Sequence, residues 1–245
     1  MVKLSVIILT YNEEFYIADA IQSVAFANEI IVLDSFSTDA TREIATELGV
    51  TLITRQFDNY SNQRNYAIDF AVGDWILFLD ADERVIEKLQ IEILKSIESD
   101  SYSAYKIWFP HFFMGRFLFH YTDKVIRLVK HHNVYFENAV HEKLIVEGKI
   151  GVLKNYMIHL TYKGLFSFIE KKDKYAWFQA KMAFDKGKKS SLFLLFFKPF
   201  YRFFHTYFVK RVFLDGVPGL AAAAIDAYGV FSRYAKLLLL EKKLK

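Results

Sequence analysis

The stretch Gly73-Asp74-Trp75-Ile76-Leu77-Phe78-Leu79-Asp80-Ala81-Asp82-Glu83-Arg84 constrains this chain more than any other. Five consecutive apolar residues, Trp75 to Leu79, lie between a glycine and a cluster of carboxylates, the pattern of a strand buried on both faces of a parallel sheet. Ligands of open α/β sheets bind outside the carboxyl ends of the strands, so Asp80 and Asp82 stand where a site is expected. Side chains alternate along an extended chain, which places the two acids on one side of it. Carboxylates so close repel unless a cation, a donor or a proton separates them, and a divalent ion shared with a diphosphate would do so. A solvated acidic loop, or the acid-rich first turn of a helix beginning near Glu83, is the plainer reading of the same residues.

Two earlier apolar runs repeat the pattern. Leu4 to Thr10 reads as the first strand, followed by the loop Thr10-Tyr11-Asn12-Glu13-Glu14, and Ile17, Ala20, Ile21 and Val24 then recur at helical spacing. Glu29 to Asp34 reads as the second strand, with Ser35 to Asp39 a loop of capping residues, Asp39 the N-cap of a helix through Leu48, and Gly49 its terminator. Val50 to Thr54 is a short third strand, and Asn62 to Ala71 a short helix before the anchor strand. Strand and helix alternate over the first hundred residues, which predicts an α/β fold with a mainly parallel sheet flanked by helices.

Beyond Tyr102 the pattern changes. Short aromatic and β-branched runs (Ser103 to Phe109, Lys124 to Leu128, Val152 to Leu160) extend or cover the sheet, and a Lys-rich helix is expected over Leu165 to Lys186. Charge divides with the pattern: residues 1 to 162 hold 15 Lys or Arg against 22 Asp or Glu, whereas residues 163 to 245 hold 17 against 6. We therefore expect a nucleotide-binding and catalytic domain over 1–162 and a basic, aromatic-rich helical extension over 163–245. A basic, aromatic segment suits nucleic acid or an anionic membrane, and its apolar content favours the membrane over nucleic acid. Asp215, Gly216, Pro218, Gly219 and Asp226 interrupt its longest apolar run, which makes spanning costly and favours helices lying at the lipid interface. The other reading of the same aromatics is a helical subdomain or a dimer surface.

Some chemistry is excluded, and more is disfavoured. The chain has no cysteine, so it has neither disulfides nor thiolate metal sites, as befits a reducing compartment, and without a small-residue cleavage signal before the first strand no secretory peptide is expected. No Gly-x-Gly-x-x-Gly follows that strand, there is no P-loop, no Gly-x-Ser-x-Gly elbow is present, and the seven histidines form no compact zinc motif.

Taken in order, Ile-Ile-Leu-Thr-Tyr-Asn-Glu-Glu, Val-Leu-Asp-Ser-Phe-Ser-Thr-Asp-Ala-Thr, Gln-Arg-Asn-Tyr-Ala-Ile and Trp-Ile-Leu-Phe-Leu-Asp-Ala-Asp-Glu-Arg resemble the family 2 glycosyltransferases of the GT-A fold. Asp123-Lys-Val-Ile-Arg127-Leu128, Val140-His141-Glu142 and Phe213-Leu-Asp215-Gly216 narrow the resemblance to bacterial lipopolysaccharide core β-1,4-glucosyltransferases. Relatives often carry Gly where this chain has Phe36.

The resemblance implies that Thr10, Asn12, Glu13 and Asp34 line the nucleotide pocket, that Arg64 approaches the donor, and that Asp80 faces the ribose. It implies that Asp82 binds a divalent cation, Mg²⁺ or Mn²⁺, together with the diphosphate. Glu142 is the expected general base of an inverting transfer, and Arg127 and His141 the residues that position an anionic acceptor. The implied substrates are a nucleotide sugar donor, UDP-linked, and a lipid-linked saccharide, met at the cytoplasmic face of the inner membrane. A nucleotidyltransferase is the alternative enzyme, disfavoured by Glu13-Glu14 where it would need a basic Gly-rich loop. An idle, membrane-associated sugar-nucleotide-binding protein is the alternative of another class.

Overall fold

The computed structural model describes residues 2–132, 134–138, 143–160 and 165–243. Its elements run β1 (Leu4–Thr10), α1 (Ile17–Ser23), β2 (Glu29–Asp34), α2 (Thr41–Glu47), β3 (Thr51–Thr54), α3 (Tyr60–Ile68), β4 (Trp75–Asp80), β5 (Glu83–Val85) and α4 (Glu87–Ser99). There follow β6 (Ala104–Phe113), β7 (Arg116–Lys130), β8 (Tyr135–Glu137), β9 (Lys143–Ile145), β10 (Ile150–His159), α5 (Leu165–Asp185), α6 (Leu192–Phe204) and α7 (Gly216–Glu241). A π turn (His205–Val209) and a 3₁₀ turn (Val212–Asp215) join α6 to α7.

Eight strands form one sheet in the order β3-β2-β1-β4-β7-β6-β10-β5, and β8 pairs with β9 apart from it. The half that carries the polar loops is parallel, β1 pairing with β2 and β4 and β2 with β3, while β7 runs antiparallel to β4 and β5 to β10. The α/β architecture is the expected one. Alternation along the central strands feeds two cores: Val6, Ile8, Val32, Leu77 and Leu79 face one layer, and Ile7, Ile31, Leu33, Ile76 and Phe78 the other. Each such side chain contributes roughly 1.5–3 kcal/mol on burial. Gly73 precedes β4 because a Cβ there would stand 2.6 Å from the Ser5 amide nitrogen.

Two local expectations change. Helix α2 starts at Thr41, and Asp39 does not cap it in the expected manner. One Asp39 oxygen accepts from the Thr41 amide (3.0 Å) and hydroxyl (2.5 Å), while the other accepts from the Glu14 amide (3.2 Å). Residues 83–85, which suggest a helix start from their charge, form β5. Gly49 does follow the helix in the left-handed region, at φ 70°.

The chain divides into two compact units, residues 1–109 with 123–159 and residues 110–122 with 160–245. In the second, the tip of the β6–β7 hairpin supplies Phe113, Leu118 and Tyr121 to a core completed by Phe168, Val212, Ala222 and Ile225. The two-residue loop Met114-Gly115, left-handed at both positions, closes that hairpin tightly. Asp215 is buried and accepts from the amides of Phe119 (3.1 Å) and His120 (3.0 Å). Asp226 accepts from Lys172 Nζ at 2.6 Å. Among the described residues no helix is long and apolar enough to cross a membrane. None of the residues of α6 is buried, and Leu192, Phe193, Phe196, Phe197 and Phe200 line an open apolar groove.

Candidate functional site at the carboxyl ends of the parallel strands

Strand register sets the frame. Thr10 pairs with Asp34 across β1 and β2, and Leu9 with Asp80 across β1 and β4, so Thr10, Asp34 and Asp80 end their strands together. Asp34 is fully buried; one of its oxygens accepts from the Ser37 amide (2.8 Å) and the other from the Ser37 hydroxyl, which folds the loop after β2 back on itself. Phe36 stands inside that loop at φ 62° with its ring half exposed. A side chain there costs on the order of 1–2 kcal/mol that glycine would not. Asn12, also left-handed at φ 55°, accepts from the Thr38 amide through its side chain, and its own amide donates to Ser37 Oγ, both at 2.8 Å. The Glu13 amide donates to Thr41 Oγ1 at 2.8 Å. The loops after β1 and β2 are thus one hydrogen-bonded body. Thr10 Oγ1 is buried with no hydrogen-bond partner among the described residues, an acceptor and donor held for something else.

Asp80 continues the Ile76–Phe78 face of β4, the face that α3 covers with Ala67 and Ile68. Arg64, one helical turn before Ile68, therefore reaches it, with Nη2 3.1 Å from one Asp80 oxygen. Arg127 Nη2 holds the other Asp80 oxygen at 2.6 Å and a Glu83 oxygen at 2.5 Å. The second Glu83 oxygen accepts from the Asp80 amide at 3.0 Å. Burial works to raise the Asp80 pKa, but the charges of Arg127 and Arg64 prevail and hold it well below the usual carboxylate range. Glu83, wholly buried, is pushed up to about 7 by that burial, with the Asp80 charge adding to it against the pull of Arg127.

Asp82 takes a different partner. Strand β10 runs antiparallel to β5 with His159 opposite Glu83, which brings His159 Nε2 to 3.1 Å from Asp82 Oδ2. Burial disfavours the imidazolium, but the Asp82 hydrogen bond and the charges of Asp82, Glu83 and Asp80 outweigh it and raise the His159 pKa. Arg84 braces the turn between β4 and β5: its guanidinium donates to the carbonyls of Ala81 and Glu83, each at 2.7 Å, and of Tyr16 at 2.6 Å.

The structure brings Thr10, Asn12, Glu13 and Asp34 into one loop body and joins Arg64, Asp80 and Arg127 in one charge network. Arg127, expected at the acceptor, pairs with Asp80 and Glu83. His141 and Glu142 lie outside the described residues. Glu83, Arg84 and His159 join the site although no motif in the sequence marks them as site residues. Among the described residues no three His, Asp or Glu side chains are grouped to hold a metal. Asp82 and His159 offer one oxygen and one imidazole nitrogen side by side, a donor pair that suits a hard to borderline divalent ion if a diphosphate completes its shell.

Residues 5–157 match the family model described as glycosyl transferase family 2. An uncharacterized glycosyltransferase of Rickettsia typhi is 34% identical over 260 residues, covering 99% of this chain and 89% of the relative. A lipopolysaccharide core biosynthesis glycosyltransferase, LpsC, of Rhizobium meliloti is 25% identical over 96% of this chain and 91% of its own. A UDP-Glc:α-D-GlcNAc-diphosphoundecaprenol β-1,3-glucosyltransferase, WfgD, of Escherichia coli is 30% identical over 71% of this chain and 67% of its own. Among solved structures, residues 1–349 of TarS from S. aureus superpose with a TM-score of 0.47 at 20% identity, over 71% of this chain and 64% of that one.

Proposed function

This chain belongs to glycosyl transferase family 2, and on that premise we propose that it moves a hexose, with inversion, from a nucleotide sugar to a lipid-linked saccharide in envelope glycan synthesis. The observation that carries the reading is the joined loop body after β1 and β2 at the same strand ends as the Asp80–Asp82 turn, with the Thr10 hydroxyl buried and without a partner among the described residues. Nucleotide recognition falls to Thr10, Asn12, Glu13 and Asp34. Arg64 and Arg127 hold Asp80 ionised and fixed, ready to accept from a ribose hydroxyl.

Asp82 and His159 fit a divalent cation, Mg²⁺ or Mn²⁺. When bound, that ion would offset the charge building on the departing nucleoside diphosphate. Glu142 serves as general base, taking the proton of the acceptor hydroxyl on the side opposite the leaving group. Names of relatives favour UDP-glucose as donor and a lipid-linked acceptor: the E. coli relative is named for UDP-Glc and a diphosphoundecaprenol, and the R. meliloti relative for the lipopolysaccharide core. We assign the chemistry to residues 1–162, and to residues 163–245 attachment to the cytoplasmic face of the inner membrane. Exposed rings along α6 and the 17 basic residues of that segment support the attachment.

Incubating the full chain with labelled nucleotide sugars, with and without Mg²⁺ or Mn²⁺, tests the reading. Slow, cation-dependent hydrolysis of one donor is the expected result. Binding without turnover under every acceptor condition would overturn it.

A further inference from the structure

Beside the charge network, a cavity of about 680 Å³ opens within the first compact unit. Its basic lining comprises Arg64, Arg127, Lys106 of β6, Lys124 of β7 and Lys143 of β9, and among the described residues its one carboxylate is Asp80, which two guanidinium groups already neutralise. Among the described residues Lys106, Lys124 and Lys143 form no ion pair. Lys124 Nζ stands 3.7 Å over the ring of Trp108, which holds one ammonium in place through its cation–π contact. Phe136, Ile145 and Ile150 supply apolar wall against which a sugar ring can lie. A cleft lined by one sign of charge on low-dielectric walls concentrates the opposite charge, and lysine answers phosphate or carboxylate as a point charge. The three lysines come from β6, β7 and β9, and none belongs to the loops after β1 and β2 that make the nucleotide body.

We propose that this cavity is the acceptor subsite and that it takes a saccharide bearing a phosphate or carboxylate group, held by Lys106, Lys124 and Lys143. The inference rests on the transferase reading for the word acceptor, but the anion site stands on the cavity alone.

Calorimetric titration of the full-length protein with glucose 6-phosphate, glucuronate, glucose and UDP separates the sources of negative charge. The wild type is expected to bind the phosphorylated or the carboxylated sugar more tightly than glucose. Replacing all three lysines by glutamine should weaken that binding by about tenfold or more while UDP affinity changes by less than about twofold. Each single Lys→Gln variant should show a partial loss, so the result survives if the triple variant melts early. Equal binding of glucose and both anionic sugars, no binding of any of the three sugars, or unchanged affinity in the lysine variants would overturn the proposal. So would an equal loss for UDP, which would assign the cavity to the donor diphosphate. Lysine-dependent binding of the anionic sugars in a protein that binds no nucleoside diphosphate would refute the transferase reading and leave the anion site in place.

Discussion

His159 Nε2 and Asp82 Oδ2 lie 3.1 Å apart, although 77 residues separate them in the chain. The pairing of β10 with β5 alone creates that contact, and it sets the first prediction. Asp82→Asn and His159→Ala should each leave the fold intact, because both side chains are partly solvated. Each should raise the Mg²⁺ or Mn²⁺ concentration needed for half-maximal donor hydrolysis by roughly 10- to 100-fold, the range seen even for outer-shell partners of metals. A metal titration of activity in the folded variants checks it; unchanged dependence in both removes the ion from this pair.

Glu142→Gln should lower the rate at saturating donor by roughly 10²- to 10⁴-fold, the usual worth of a positioned base, with donor affinity nearly unchanged. Single-turnover rates set beside equilibrium binding of UDP read the two effects separately. Lost affinity with a normal rate would make Glu142 a binding residue.

Asp226 should make the second unit acid-sensitive. Burial opposes its ionisation, but the Lys172 charge and hydrogen bond and the Arg202 charge depress its pKa below the ordinary 3.8. A depressed carboxylate contributes stability that is present above the unfolded-state pKa and lost as pH falls through the folded one. Wild type should therefore lose melting temperature as pH drops below about 4, the unperturbed range of an Asp. Asp226→Asn should melt lower than wild type at pH 7 and lose less on acidification. Parallel melting curves for the two proteins between neutral and acid pH would show that Asp226 carries no such coupling.

The α6 rings should drive membrane attachment. Phe193, Phe196 and Phe200 are each about two-thirds exposed and share one face of the helix, so replacing all three by Ser removes apolar area without disturbing the core. Flotation with anionic vesicles should show wild type bound at low salt and only partly released by high salt, since salt screens the basic residues but not the rings. The triple Ser variant should stay unbound in both. If it floats like wild type, the face serves another purpose.

Much of the site half of the fold is legible in the sequence because each parallel strand is a short, largely apolar run that gives way abruptly to polar residues. Leu4–Thr10 and Glu29–Asp34 carry such boundaries, and Trp75–Asp80 extends the expected run by only its terminal acid. Legibility ends where pairing decides. Glu83-Arg84-Val85 is too short to show period two, and its acids suggest a helix start; only β10 makes it a strand. His159 has no neighbour in sequence that marks it as a partner of Asp82. Arg127 shows its charge but not its destination, which is fixed by the need of the buried Glu83 and the partly buried Asp80 for a cation. Phe36 marks its loop by replacing a common glycine, and the loop keeps the left-handed turn regardless, locked by Asp34 and Ser37.

The tip of the β6–β7 hairpin has a bearing on protein engineering. Because Phe113, Leu118 and Tyr121 are cored by residues from α5 onward, and Asp215 ties down Phe119 and His120, the second unit is spliced from two distant stretches of chain. A stop codon near residue 190 would retain the hairpin tip while removing Val212, Ala222 and Ile225, stripping apolar rings of their cover. The C-terminal helices are therefore not a detachable tag: a chimera that borrows them must import residues 110–122 as well, and a soluble variant is better sought by recolouring the surface of α6 than by shortening the gene.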